Sequence, residues 1–108
     1  MSKKYALTLD LKDDPQLIKE YEAYHQKVWP EILESIKNAG IQNMEIFRWK
    51  TRLFMLIEAD EGFSFEKKAQ MDADNPKVQE WENLMWKYQK GLPGVPEGEK
   101  WQIMDRIF

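Results

Sequence analysis

Cysteine is absent from the 108 residues, which removes disulfides, thiol nucleophiles and cysteine-ligated zinc from consideration. Histidine occurs once, as His25, so neither His-x-x-x-His nor His-Glu-x-x-His can be formed. An excess of one charge is missing too. Lys and Arg number 16 against 19 Asp and Glu, a net charge of −3, and Lys3-Lys4 and Lys67-Lys68 are too short for a nucleic-acid groove. There is no glycine-rich phosphate cradle and no nucleophilic serine motif. No apolar run approaches a signal peptide or membrane span, and after Met1-Ser2-Lys3-Lys4 the chain enters a strand pattern at once. The expectation is a cytoplasmic protein with no metal or cofactor, no nucleic-acid partner and no membrane contact.

Aromatics are plentiful: five Trp, five Phe and four Tyr, more than a minimal core of this size needs, so some are free to line a pocket or an interface. The length accommodates one domain, residues 1–108. Tyr5, Leu7, Leu9 and Leu11 alternate with Ala6, Thr8 and Asp10, the period of a strand with one buried face. Asp14 followed by Pro15 reads as a helix cap and first turn, and the stripe Leu17, Tyr21, Tyr24, His25, Val28 follows. Pro30 lacks an N–H and clashes with the preceding turn, so a kink or restart is expected near Trp29. The helix resumes through Ile32, Leu33 and Ile36 and ends at Gly40. Met44 to Trp49 and Arg52 to Ala59 read as a hairpin turning at Lys50-Thr51. Its run Leu53-Phe54-Met55-Leu56-Ile57 suits a strand covered on both faces. Ser64 to Met71 reads as a short helix, and Asn75-Pro76 opens another with the stripe Val78, Trp81, Met85, Tyr88, running to about Gln89. A Pro/Gly-punctuated loop, Gly91 to Gly98, precedes a last strand from Trp101 to Phe108. The order is the βαββαβ arrangement of an α+β, ferredoxin-like fold: an antiparallel sheet with helices on one face. The other face is left bare, and a second copy across a two-fold axis would cover it.

His25 lies four residues after Tyr21, on the same inward helix face. Such a histidine is often simply packed against a carbonyl or carboxylate, but its unperturbed pKa near neutrality also fits general acid–base chemistry. Glu31 sits just after the proline, where the helix dipole favours a carboxylate. Trp81 and Glu82 fall on the last helix, readable as core and solvated face respectively.

The segment Tyr21-Glu22-Ala23-Tyr24-His25-Gln26-Lys27-Val28-Trp29-Pro30-Glu31 resembles the Tyr-x-x-x-His-x-x-x-Trp-Pro-Glu stretch of the L-rhamnose mutarotase family. The likeness continues through Gly40, Asn43 and Val78-Gln79-Glu80-Trp81. It implies a homodimeric α+β barrel of ferredoxin-like chains, with His25 as the proton donor and Tyr21 and Trp81 as sugar contacts. Two positions depart from the pattern. The family's hairpin tyrosine falls at Met44, and the second of its paired tryptophans at Glu82. These changes, with the ending Gly98-Glu99-Lys100-Trp101 to Asp105-Arg106-Ile107-Phe108, resemble a branch associated with L-fucose. The implied substrate is a 6-deoxy-L-hexose, L-rhamnose first and L-fucose as the alternative. A site that bonds particular hydroxyls discriminates strongly between such stereoisomers.

Mutarotation opens the pyranose and closes it on the other face of the aldehyde. One proton leaves the anomeric hydroxyl and one reaches the ring oxygen. The expectation gives His25 the ring oxygen, with Glu31, Glu82 or Tyr21 taking the anomeric proton and Trp81 against the apolar sugar face. Two other classes remain open at this point: a small dimeric α+β-barrel monooxygenase, in which a histidine beside tryptophans suits haem ligation, and a non-catalytic sugar binder.

Overall fold

The computed structural model describes residues 2–96 and 98–108; Met1, and Glu97 in the expected loop, lie outside the described residues. The elements are β1 (Ser2–Leu11), α1 (Pro15–Gln26), α2 (Pro30–Asn38), β2 (Ile41–Trp49), β3 (Arg52–Asp60), α3 (Phe65–Ala73), α4 (Pro76–Trp86), β4 (Gln89–Lys90) and β5 (Gln102–Met104). The sheet runs β2-β3-β1-β4, with β5 also on β1 and every pairing antiparallel. This is the ferredoxin-like α+β arrangement expected from the element order.

The final edge strand departs from the expectation. It comes in two pieces: Gln89 and Lys90 pair with Leu11 and Asp10, and Gln102 to Met104 pair with Thr8 to Ala6. Residues 91–101 leave the sheet between them. The expected strand over Trp101 to Phe108 thus shortens to three residues, and α4 ends at Trp86 rather than near Gln89. Side-chain periodicity did not reveal the early strand, because Tyr88 is equally in phase with the helical stripe.

Local chemistry explains the helix boundaries. The Asp14 carboxylate accepts from the Gln16 and Leu17 N–H groups at 2.9 and 3.2 Å, satisfying donors that the first helical turn leaves orphaned. Trp29, held by the following proline in an extended conformation (φ −57°, ψ 137°), separates α1 from α2. The expected break is there. After α2 the chain reverses at Gly40, whose φ of +95° disfavours any residue with a Cβ. The hairpin turn places Lys50 at φ +51°, a conformation that strains a non-glycine residue.

One face of the sheet packs on the helices. Leu7, Leu9, Leu11, Leu53, Met55, Ile57 and Ala59 are all buried there, and all but Leu9 belong to one of two clusters. One gathers Leu11, Leu53 and Tyr21 with Trp81, Met85 and Tyr88 of the last helical segment. The other joins Leu7, Ile41, Met55, Ile57, Ala59 and Phe63. On the opposite face, Phe47 pairs with Phe54, Glu45 with Leu56, and Ala6 with Met104. Phe47 is 52% and Trp49 71% exposed. Among the described residues, no helix is long and apolar enough to cross a membrane.

Candidate active site

Helix α1 sets Tyr21 and His25 one turn apart, so their rings meet with centroids 4.4 Å apart. Trp81 arrives from α4, edge-on to the imidazole at 5.8 Å. Trp29, at the helix break, stands edge-on to Trp81 at 5.1 Å, and Tyr24 does so from the side at 6.2 Å. Tyr21 and Trp81 are buried, whereas His25 is half-buried. The imidazole is the ionisable member of this aromatic trio that solvent still reaches.

Its tautomer follows from one contact. The His25 Nδ1 lies 2.8 Å from the Tyr21 carbonyl oxygen. A carbonyl can only accept, so Nδ1 carries a hydrogen and donates it. In the neutral ring the proton-free nitrogen is therefore Nε2. Burial pulls the His25 pKa below its usual 6.5, outweighing the carbonyl bond, which acts the other way. Near neutral pH the ring is uncharged, with a lone pair at Nε2.

Tyr21 has the opposite character. Burial pushes its phenol pKa up, while a hydrogen bond from Gln89 opposes the shift, so the phenol holds its proton at neutral pH. The Gln89 Nε2 donates to the Tyr21 hydroxyl at 3.3 Å. Nearby, the Tyr88 hydroxyl donates to Glu20 at 3.1 Å, which satisfies a second buried phenol.

Of the six residues singled out from the sequence, Tyr21, His25 and Trp81 come together. Met44, Glu82 and Glu31 take other positions. Met44 is half-buried and packs against the second cluster. Glu82 is half-buried next to Trp81 in sequence, and its backbone carbonyl accepts from Lys100 Nζ at 2.7 Å. Burial lowers the Lys100 pKa and the Glu82 charge opposes that shift, while the ammonium lies 4.9 Å from the centre of the Trp86 ring. Glu31 is exposed in the first turn of α2. Among the described residues, His25 lines neither of two surface concavities. One of about 510 Å³ flanks the helix break at Tyr24, Lys27, Val28 and Trp29. The other, about 850 Å³, lies at the sheet edge, bounded by Tyr5, Leu56, Met104 and Arg106. The part of the half-buried imidazole that solvent reaches is what a ligand there can touch. Gln89 escaped the sequence reading; a single polar residue after a helical stripe carries no signal of burial. Among the described residues no group of three or more His, Asp or Glu could hold a metal ion.

The profile of a family described as L-rhamnose mutarotase matches residues 4–108. An L-fucose mutarotase of Xanthomonas campestris pv. campestris is 49% identical over 102 residues, covering 93% of this chain and 82% of that protein. Among solved structures, the L-rhamnose mutarotase of Formosa agariphila superposes with a TM-score of 0.72 at 19% identity, over 98% of this chain and 96% of that one. Tetracenomycin F2 cyclase of Streptomyces glaucescens, a polyketide cyclase, does so at 0.69 and 17% identity, with the same coverages. Backbone likeness at this level is shared by unrelated chemistries, so it establishes the fold alone.

Proposed function

The chain belongs to the L-rhamnose mutarotase family, and from that premise we propose that it interconverts the α and β anomers of a 6-deoxy-L-hexose at His25, with L-fucose preferred over L-rhamnose. Sugar mutarotation is the activity of the family. The preference reverses the order expected from the sequence. It rests on the relative named for L-fucose at 49% identity, together with Met44 and Glu82 where the family pattern has aromatic residues.

The observation that carries the mechanism is the bond between His25 Nδ1 and the Tyr21 carbonyl. It leaves Nε2 as the nitrogen facing chemistry, and a neutral imidazole begins by accepting a proton. His25 takes the hydrogen of the anomeric hydroxyl while the bond from C1 to the ring oxygen breaks. The electron pair stays on the ring oxygen, which takes a proton from the Tyr21 hydroxyl. Rotation about the C1–C2 bond presents the other aldehyde face. The reverse transfers then close the ring: Tyr21 recovers its proton from the hydroxyl, and the imidazolium returns its own to the former carbonyl oxygen. His25 is thus the proton donor of the closing half, whereas the expectation had it donate to the ring oxygen first. Charge appears as an imidazolium beside a phenolate, a pair that a water-poor site stabilises better than either ion alone. Of the three candidates for the second group, Tyr21 is supported by its contact with the His25 ring. Trp81 packs on the apolar face of the sugar and its 6-methyl group. Met44, Glu82 and Glu31, which do not meet His25 in the folded chain, are kept in this proposal as candidate contacts of a bound sugar.

We further propose a homodimer, formed by two bare sheet faces across a two-fold axis. Exposed Phe47 and Trp49 support it, as does the half-buried side of the Leu53–Ile57 run, Phe54 and Leu56. A cytoplasmic setting belongs to the same proposal and rests on the cysteine-free composition. The experiment is NMR saturation transfer between the anomeric protons of each sugar, with and without protein. The proposal expects exchange to accelerate for both sugars, and more for L-fucose. Saturable binding without acceleration would mark a sugar binder instead, and no response to either sugar would refute the substrate class.

A further inference from the structure

Gln89 is an uneconomical residue for the place it occupies. It is 4% exposed on β4, immediately after Tyr88. Its amide Nε2 donates to the Tyr21 hydroxyl at 3.3 Å, while its Oε1 is buried with no hydrogen-bond partner among the described residues. A buried acceptor left unpaired is costly, and an apolar side chain of similar shape would avoid that cost. A residue that served only to fill this space would not be a glutamine. Among the described residues, the one polar contact of its side chain is with the tyrosine whose ring lies against that of His25.

The direction of that contact matters. A phenol oxygen that accepts from an amide N–H keeps its own hydrogen for another acceptor, and among the described residues the Tyr21 hydroxyl hydrogen has none. We propose that Gln89 is a positioning residue for the mutarotase reaction: its amide fixes the Tyr21 hydroxyl as a donor aimed away from β4, toward the sugar ring oxygen. This rests on the reading of Tyr21 as the second proton-transfer group. The N–H also stabilises the phenolate that forms when Tyr21 gives up its proton, countering the burial that opposes it. Gln89 touches no reacting atom. It acts through Tyr21.

The test compares wild type with Gln89→Met, Gln89→Glu and Tyr21→Phe, using anomer exchange on L-fucose and L-rhamnose as a function of sugar concentration and pH. Gln89→Met removes the donor and the unpaired oxygen together. It should lower kcat about 10-fold to 100-fold with KM nearly unchanged, move the alkaline limb of kcat upward, and leave the melting temperature equal or higher. Gln89→Glu offers only acceptor oxygens when ionised. It turns the bond round, so Tyr21 spends its hydrogen on the carboxylate and kcat falls at least as far. Should that variant fail to fold, Gln89→Met decides alone. A Gln89→Met protein with wild-type kcat, or with a lower melting temperature and an unmoved alkaline limb, would show that Gln89 only supports packing. If Tyr21→Phe lowers kcat and Gln89→Met does not, the Gln89 role fails while the Tyr21 role stands. If Tyr21→Phe keeps wild-type kcat, or wild type itself does not speed exchange, both fail together.

Discussion

The two clusters beneath the sheet share β1 and β3 yet differ in kind. The one built from Leu7, Ile41, Met55, Ile57, Ala59 and Phe63 contains no polar side-chain atom except a thioether sulfur. The one around Tyr21, Trp81 and Tyr88 carries phenols and an indole and borders a half-buried imidazole; its Tyr21 hydroxyl accepts from Gln89 and its Tyr88 hydroxyl donates to Glu20. Hydrocarbon packing needs only volume and shape. The aromatic end needs, in addition, a partner for every buried polar tip, and at Gln89 it leaves one unmet. Natural folds place such unmet demands at functional sites. The hydrocarbon cluster serves packing alone, and the aromatic one combines packing with the residues proposed for catalysis.

Substitutions can break that division. His25→Asn should slow enzyme-catalysed anomer exchange by about 10²–10⁴-fold, while the thermal unfolding curve stays close to wild type. A large loss of stability with activity retained per folded molecule would place His25 among the packing residues instead. Ile57→Ala in the hydrocarbon cluster, where Ile57 is 2% exposed, should cost about 2–5 kcal/mol in denaturant unfolding. The fraction that remains folded should keep its exchange rate. Coupled loss of both would show that the clusters are one unit. The smallest effect belongs far from both: Lys50→Gly relieves the positive φ of the hairpin turn and should change stability by less than about 1–2 kcal/mol in the favourable direction, with activity untouched.

Much of this was legible in the sequence, for identifiable reasons. Caps at Asp14 and Asn75, the proline after Trp29 and the glycine at position 40 act within a few residues of themselves, and each marks its boundary where the structure has it. The pairing of Tyr21 with His25 is also local, a consequence of helical spacing. The meeting of His25 with Trp81 is not local: it depends on how α1 and α4 cross, and only the family resemblance anticipated it. The irregular pairing between Ile41 and Asn43 in β2 likewise helps decide which cluster Met44 joins, and periodicity cannot register it. The split edge strand was hidden for a related reason. Gln89 and Lys90 are too few to display an alternation, and their partners on β1 lie about 80 positions away in the chain. The direction of the bond at His25 Nδ1 depends on ring orientation, which no residue pattern encodes.

Because the folded chain favours the neutral form of His25, protons bind the unfolded chain more readily below pH 6.5. Stability therefore falls as pH drops from 6.5 toward the lower folded pKa, and is fully present above 6.5. The same group should govern turnover. With a single histidine in the chain, an NMR titration of the imidazole nitrogens reports on this site without assignment, and can be run beside the pH dependence of anomer exchange. The expected result is hydrogen on Nδ1 and none on Nε2 in the neutral ring, a pKa below 6.5, and an acid limb of kcat/KM with that same pKa. A ring protonated at Nε2 when neutral, a pKa at or above 6.5, or a rate that ignores the titration would contradict the assignment of His25 as the group that first takes the anomeric proton.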